Sequence, residues 1–243
     1  MSGPSTSSEV RAIVEAEYER QIDALAGSAE FVSLEAGRAD PNAVVAFLEN
    51  IYRTHVKSPQ IVALLYATSA PAATATMLDN LCEELGLVDR GSSHPQLLRT
   101  MLQHAGVQGP RLRVLEEDAE RDLRRLLSEP LMFATLKETA LSILLEVTSF
   151  EWTLARLGNP IAKALNTHAG MDWHALEWFT LHAELDVRHA EEGLSAVVAF
   201  VEFFGLDLED VQTIVDLTFR QNVLLRRYFP AVGEWGVEGV SSP

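Results

Sequence analysis

The sequence predicts an all-α protein folded as a single helical bundle. Apolar residues recur at three- and four-residue intervals along most of the chain, and no segment shows the two-residue alternation of a strand. Prolines and glycines separate the apolar segments at spacings suited to helices. The chain has 243 residues, of which 47% are hydrophobic, and this is ample material for one large core.

Composition excludes several classes of function. The formal net charge is −16, and an acidic surface repels phosphate backbones and anionic lipids, so we expect no nucleic-acid or membrane partner. The most apolar run, 195–206, is short and contains Glu202, which argues against a membrane span. Cys82 is the single cysteine, and the first eight residues lack a signal pattern, so a cytoplasmic location is predicted. Whether the chain forms a homodimer is left open.

The first half of the chain contains five predicted helices after a disordered segment, 1–8. Pro41, Pro59 and Pro71 each stand where a first-turn proline favours a helix start. Residues 87–93 hold glycine and serine and are predicted to form a linker. The predicted helices cover 9–26, 41–52, 58–68, 71–86 and 94–104.

The second half is predicted to contain longer helices. Gly158 and Pro160 are expected to end one of them, Asp172 to cap the next, and Gly205 to terminate that one. The predicted spans are 112–127, 131–157, a short helix to 167, 172–204 and 208–228. The helical domain is therefore placed at 9–229, and 230–243 is predicted to be a C-terminal tail.

The helix predicted at 172–204 carries the most informative pattern in the chain. His182, Asp186 and His189 follow at i, i+4 and i+7, which places them on one stripe of a helix. Phe179 and Phe200 share that stripe, so it is the inward face. Two imidazoles and a carboxylate in an apolar interior are costly unless a partner satisfies them. A metal ion is one such partner, and a metal-free His–Asp–His hydrogen-bond network is the alternative.

Three further residues are candidates to join this set. Glu84 shares an inward stripe with Asn80, His94 opens the following helix, and Glu151 has apolar neighbours on its stripe. Each has a plainer interpretation: a surface carboxylate, a capping neighbour, and a salt bridge to an arginine. Glu146 competes with Glu151 but lies on a more polar stripe.

Oxygen and nitrogen ligands in equal number suit iron or manganese, and six side chains exceed what one ion ordinarily takes. Two metal ions in a helical bundle are therefore the economical interpretation. The paired Glu-x-x-His motifs of ferritin-like proteins do not occur here, which favours another helical scaffold. The six candidate catalytic and metal-binding residues are Glu84, His94, Glu151, His182, Asp186 and His189.

Other polar residues are assigned to the surface. Glu83 is expected to be solvated, and Glu184 and Arg188 to form an exposed ion pair on the outer face of their helix. Four histidines have polar or loop-like surroundings in the sequence and are treated as structural or surface residues. These are His55, His104, His168 and His174.

At these residues the sequence resembles the heme-oxygenase-like diiron oxidases, which share an all-α, TenA/PqqC-like fold. The resemblance covers about residues 45–205. It is carried by Glu84-Leu85-Gly86, His94-Pro95, Glu151 and the His182-x-x-x-Asp186-x-x-His189 motif, at separations similar to those of family members. The separations also favour Glu151 over Glu146. Some members use one more carboxylate from an earlier helix, for which Glu49 is the candidate.

The resemblance implies two Fe²⁺ ions as cofactor and O₂ as co-substrate. It implies a small-molecule substrate, either an amino acid, an amine or a fatty acid, that undergoes N-oxygenation, desaturation or oxidative C–C cleavage. Three other functions remain open: a metal-independent enzyme or binding protein on the TenA/PqqC-like fold, a heme oxygenase, and a non-catalytic metal-binding bundle.

The substrate pocket is expected between the helices predicted at 131–157 and 172–204. Lys137 and Arg156 are candidates to receive a substrate carboxylate. Five aromatic residues are candidates to line the pocket, with a role as ordinary core the plainer alternative. They are Phe133, Phe150, Trp178, Phe179 and Phe200.

Overall fold

The computed structural model describes residues 7–88, 91–128 and 136–229, and throughout these ranges the protein is all-α, as predicted. A short 3-10 helix, Pro71–Ala73, precedes the fifth helix. The α-helices are α1 (Ser7–Ala26), α2 (Ala29–Glu35), α3 (Pro41–His55), α4 (Ser58–Thr68), α5 (Thr74–Glu84), α6 (His94–His104), α7 (Pro110–Ser128), α8 (Leu136–Ala169), α9 (Glu177–Phe204), α10 (Leu208–Thr218) and α11 (Val223–Tyr228).

Helices α8 and α9 make the most extensive interhelical contact and form the axis of the bundle. Two glycines allow their backbones to approach closely. A Cβ atom added to Gly158 of α8 would lie 2.8 Å from the carbonyl oxygen of Phe179, and one added to Gly193 of α9 would lie 2.5 Å from Thr148 Oγ1. Because the later residue of one helix meets the earlier residue of the other at both positions, the two helices are antiparallel.

Helix α8 continues through the point where the sequence predicted its end. The prediction that Gly158 and Pro160 stop the helix is wrong, because α8 runs unbroken for 34 residues to Ala169. Gly158 serves the close contact with α9 and does not terminate the helix. Pro160 removes only one backbone donor, and packing along α9 outweighs that loss. The predicted helix start at residue 131 lies outside the described residues.

Three other boundaries differ from the predictions. Helix α2 was not predicted; its N-cap Ser28 accepts a hydrogen bond from the backbone N–H of Phe31. The segment predicted as one helix at 208–228 is two, because Asn222 caps a new helix through the Leu225 N–H. Asp172 caps a turn through Ala175 N, at 2.8 Å, and α9 itself begins only at Glu177.

The apolar core forms two clusters at opposite ends of the α8–α9 pair. One combines the C-terminal half of α8 and the start of α9 with α2, α3, α6 and α11. The other combines the N-terminal half of α8 and the end of α9 with α1 and α10. The segment of α9 from His182 to His189 lies between Phe179 of the first cluster and Ala190 of the second. The polar site therefore sits where the two apolar clusters meet.

Within the described residues, no helix has both the length and the apolar composition required to cross a lipid bilayer.

Candidate metal centre

The three polar residues of the α9 stripe are buried, as their spacing predicted. His182, Asp186 and His189 are 7%, 1% and 3% exposed. Glu184 and Arg188, on the outer face of the same helix, are exposed. Since Phe179 and Phe200 are also buried, the helical periodicity identified the inward face correctly.

Glu84 and His94 come together through a tight turn between α5 and α6. Gly86 follows Glu84 in the left-handed conformation, with φ of 68°. A Cβ atom at Gly86 would lie 2.8 Å from the backbone nitrogen of Ser93, so the turn requires glycine. Ser93 then caps α6 in a capping box with Gln96, which places His94 in the first turn.

Glu84, His94 and His182 form a compact cluster of three buried ligand-type side chains. One ligand atom from each lies within 4.8 Å of the others. His94 Nδ1 is 3.1 Å from Glu84 Oε2, and the rings of His94 and His182 have centroids 4.5 Å apart. Ser58 Oγ donates a hydrogen bond to Glu84 Oε2. The three side chains come from three helices, so only the tertiary structure brings them together.

His182 has a defined orientation because the backbone carbonyl of Trp178 accepts a hydrogen bond from its ring. His182 Nδ1 lies 2.7 Å from the backbone carbonyl oxygen of Trp178, one turn earlier in α9. A carbonyl oxygen only accepts, so the hydrogen of the neutral ring is on Nδ1 and the lone pair is on Nε2. A second atom fixing a histidine's tautomer is the usual arrangement at metal sites.

Glu151 belongs to α8 and contacts residues of α5 and α9. Its Oε1 accepts a hydrogen bond of 2.8 Å from Asn80 Nδ2, and its Oε2 lies beside Gly193 of α9. Glu146, the competing candidate, instead forms an ion pair with Arg227. Glu151 therefore lies beside α5 and α9, whereas Glu146 is paired with Arg227 of α11.

Asp186 and His189 occupy the second half of the site, and Glu83 completes it. His189 Nδ1 is 3.3 Å from Asp186 Oδ1, and His189 Nε2 is 2.7 Å from Glu83 Oε2. The prediction that Glu83 is solvated is wrong, because its carboxylate pairs with Arg188 and His189 of α9 and its side chain is only 15% exposed. The predicted pair between Glu184 and Arg188 is replaced by a 2.7 Å contact from Arg188 to Glu83 and a longer one to Glu192.

Burial and nearby charged groups shift the pKa values of three side chains of the site, Glu151, Asp186 and His182. Burial, followed by the charge of Glu84, raises the pKa of Glu151 to about 8, although the hydrogen bond from Asn80 opposes this. The pKa of Asp186 is raised well above its usual value by burial and by the charges of Glu151 and Glu84. Burial and the nearby His94 hold the pKa of His182 well below its usual value.

The unsatisfied groups of this site fit a bound cation. Asp186 Oδ2 is buried and has no hydrogen-bond partner among the described residues. An ionised carboxylate left in this way is costly, and so is the crowding of Asp186, Glu151 and Glu84. Divalent metal ions would relieve both costs at once. The mixture of carboxylate and imidazole donors is one that iron and manganese accept.

His55 was expected to be a structural or surface residue because its sequence neighbours are polar, and the structure places it in the interior, not at the surface. It is buried at the end of α3 and packs against the rings of Phe150 and Trp178, each with a centroid 5.0 Å away. His55 Nε2 lies 2.7 Å from Tyr228 Oη. Burial, followed by the positive charge of Arg227, lowers the pKa of His55 to about 3. The remaining three, His104, His168 and His174, are exposed, as predicted.

The other predicted contributors to the site lie elsewhere. Glu49 is paired with Arg111 on α7. Arg156 binds Glu19 at 2.7 Å and lies over the ring of Trp152. Lys137 precedes Glu151 by fourteen residues of α8, which is about 21 Å along a helix.

The aromatic residues predicted to line a pocket are packed in the described structure. Phe133 lies outside the described residues. The other four are buried in the two apolar clusters, and Phe179 stacks on Phe47 with centroids 6.4 Å apart. The buried residues are Phe150, Trp178, Phe179 and Phe200.

Three polar contacts of the site were missed at the sequence level. Asn80 shared the stripe of Glu84, so its inward position could have been inferred, but not its pairing with Glu151. Ser58 gave no signal beyond opening a helix. The stripe of Glu83 was misleading, because it indicated a solvated side chain. Helical periodicity describes one helix and does not show which neighbouring helix covers it.

A comparison with known families agrees with this geometry. A family model described as iron-containing redox enzyme matches residues 45–211, which is more than half of the chain and includes all six candidate ligands. None of the curated proteins matches the sequence. The match supports an oxidoreductase. The chain belongs to the family of iron-containing redox enzymes.

Proposed function

We propose that the protein is a non-heme diiron oxidase or oxygenase that uses O₂ to oxidise a small organic substrate. The observation that carries the proposal is the cluster of Glu84, His94 and His182, together with Asp186, whose buried Oδ2 has no hydrogen-bond partner among the described residues. Membership of an iron-containing redox family supports iron as the metal. An amino acid, an amine or a fatty acid is the proposed substrate class.

The ligands divide between two ions by proximity. Glu84, His94 and His182 already place their ligand atoms within 4.8 Å of one another and would hold the first ion. Asp186 and His189, adjacent to each other in α9, would hold the second with Glu151 from α8. Carboxylates have two oxygens each, so Glu84 and Glu151 are able to contribute to both ions.

The ferrous ions would supply the electrons for reduction of O₂, which imidazoles and carboxylates do not provide. The protein's own contribution is to hold the ligands and to exclude water. Trp178 packs against His182, with ring centroids 4.3 Å apart, and Leu144 and Ala190 belong to the second apolar cluster. Burial disfavours the charged forms of Glu151 and Asp186, so the pKa of each of these carboxyl groups is raised.

Anaerobic titration with Fe²⁺ tests this proposal. We expect two ions per chain for the wild type, and fewer for His182→Ala and Asp186→Ala. His174→Ala is the matched control, since His174 is an exposed residue of the turn preceding α9. The loaded protein should then consume O₂ with members of a panel of amino acids, amines and fatty acids.

Two results would contradict the proposal. One is an Fe²⁺ stoichiometry that is unchanged by both ligand substitutions. The other is full turnover of a substrate by protein stripped of iron, which would indicate a metal-independent enzyme on the same fold.

A further inference from the structure

Glu83 lies at the outer edge of the candidate metal centre and is held from two sides. Its Oε2 is 2.7 Å from His189 Nε2, and its Oε1 is 2.7 Å from Arg188 Nη2. The Glu83 side chain is only 15% exposed. Arg188 and His189 are consecutive residues of α9, so the Glu83 carboxylate bridges the Arg188 guanidinium and the His189 ring.

The ring of His189 therefore faces different groups on its two sides. Nε2 faces Glu83, at the edge of the site. Nδ1 faces the interior, 3.3 Å from Asp186 Oδ1. An ionised carboxylate only accepts hydrogen bonds, so the 2.7 Å contact with Glu83 Oε2 places a hydrogen on Nε2. Arg188 Nη2 also lies 3.2 Å from Nε2, but this longer contact is the weaker one, because Nη2 donates to Glu83 Oε1 at 2.7 Å. This leaves Nδ1 as the nitrogen with a lone pair available to a metal ion.

The contact between Nδ1 and Asp186 also fits a shared ion. Bonds from nitrogen or oxygen to a first-row metal are about 2.1 Å long, so two neighbouring ligand atoms on one ion lie about 3 Å apart. The 3.3 Å separation of His189 Nδ1 and Asp186 Oδ1 is close to that value.

We propose that Glu83 is a positioning residue that fixes His189 with its hydrogen on Nε2, so that His189 binds the second metal ion through Nδ1. His182 has the reverse arrangement, because the Trp178 carbonyl holds its Nδ1 and leaves Nε2 for the first ion. The two histidines of one motif thus bind through opposite nitrogens. This inference rests on the proposed function, since it assigns a role toward the proposed second ion.

Nuclear magnetic resonance of metal-free protein labelled with ¹⁵N-histidine tests the tautomer directly. Long-range ¹H–¹⁵N correlations identify the protonated nitrogen, and His189→Gln assigns the signals. For the wild type we expect hydrogen on Nε2 of His189 and on Nδ1 of His182. In Glu83→Ala the His189 signal should shift toward the other tautomer, whereas His182 should not change. A wild-type His189 with its hydrogen only on Nδ1 would overturn the inference.

Metal affinity supplies the second measurement. Removing a group that orients a metal-bound histidine typically weakens binding 10- to 100-fold. In anaerobic Mn²⁺ titrations of Glu83→Ala we expect a loss of that size at the second site, which includes Asp186 and His189, and little change at the site formed by Glu84, His94 and His182. Retention of the first site also shows that the variant is folded.

Two matched variants separate positioning from charge. Glu83→Gln keeps an oxygen that accepts from Nε2, so it should bind better than Glu83→Ala. Glu192→Gln removes a carboxylate that also pairs with Arg188, at 3.4 Å, but the hydrogen bonds of His189 within the described residues do not include Glu192. It should bind both ions like the wild type. Equal weakening by Glu192→Gln and Glu83→Ala would mean that charge alone matters and would overturn the inference.

The outcomes distinguish this inference from the proposed function. If the wild type binds two ions and Glu83→Ala binds both with unchanged affinity, the role of Glu83 is wrong and the diiron proposal stands. If the wild type binds no divalent metal, both are wrong.

Discussion

Asn80 and Glu151 form a hydrogen bond of 2.8 Å that joins α5 to α8 across the candidate metal centre. The sequence allowed an arginine salt bridge at Glu151, and the structure supplies a neutral amide instead. A neutral donor leaves the negative charge of the ionised carboxylate uncompensated. Burial then raises the pKa of Glu151 to about 8, so the metal-free protein keeps this side chain protonated near neutral pH.

This relationship predicts how the metal-free protein responds to pH. Because the pKa of Glu151 is higher in the folded protein than the usual 4.5, the folded state binds a proton more tightly. Its free energy of unfolding should therefore fall as pH rises from about 4.5 to about 8. The raised pKa of Asp186 acts in the same direction. Glu151→Gln should stabilise metal-free protein at pH 8 by about 1 kcal/mol or more, and by less at pH 5.

Urea unfolding at a series of pH values, with chelator present, checks this prediction. Glu184→Gln is the control, because Glu184 is an exposed acidic residue of α9 and its substitution should leave the pH dependence unchanged. An identical pH dependence for Glu151→Gln and the wild type would contradict the prediction.

Ser58 is expected to support the first ion through Glu84, to which its hydroxyl donates a hydrogen bond. Ser58→Ala should weaken Mn²⁺ binding at the first site by roughly 10-fold, because the carboxylate loses the group that orients it. Ser69→Ala, at the other end of α4, is the control, since Ser69 bonds only to groups away from the site such as the Tyr66 carbonyl. Anaerobic calorimetry measures both. Equal affinities for the two variants would argue against the role of Ser58.

Gly193 is expected to be required for the packing of α8 against α9. A Cβ atom there would lie 2.5 Å from Thr148 Oγ1 and 3.2 Å from Glu151 Oε2. Gly193→Ala should lower the free energy of unfolding by about 1–3 kcal/mol through overpacking. Thr148→Ala removes the two closest atoms, so the double variant should recover part of the loss. Chemical denaturation of the wild type, the two single variants and the double variant gives the interaction free energy between the two positions. If the effects of the two single substitutions simply add, the expected clash is contradicted.

Tyr228 is expected to stabilise the fold through its hydrogen bond to His55. Tyr228→Phe keeps the ring among its aromatic neighbours but leaves buried His55 Nε2 without a partner. We expect a loss of about 1–2 kcal/mol in the free energy of unfolding. The control, Tyr66→Phe, changes an exposed side chain and should alter stability by less than about 0.5 kcal/mol. Thermal and urea unfolding measure the difference, and a neutral Tyr228→Phe would refute the contribution.

The sequence by itself determined the fold class, most helix boundaries and the inward face of α9. These features depend on local information: helical periodicity, first-turn prolines and the spacing of His182, Asp186 and His189 along one helix. It also placed Glu84 on an inward stripe, which burial of that side chain confirms. Family membership agrees with the resemblance stated from these residues. The assignment of the six residues as ligands remains a prediction.

The tertiary structure decided which helices meet. It carried α8 past Gly158 and Pro160, because close packing against α9 outweighs a local break signal. It buried His55 behind Tyr228 and brought Glu83 against His189, although the sequence around each suggested polar surroundings. The physical reason is the same in each case. A residue's environment depends on the neighbouring element that covers it, and one helix's own periodicity contains no information about that neighbour.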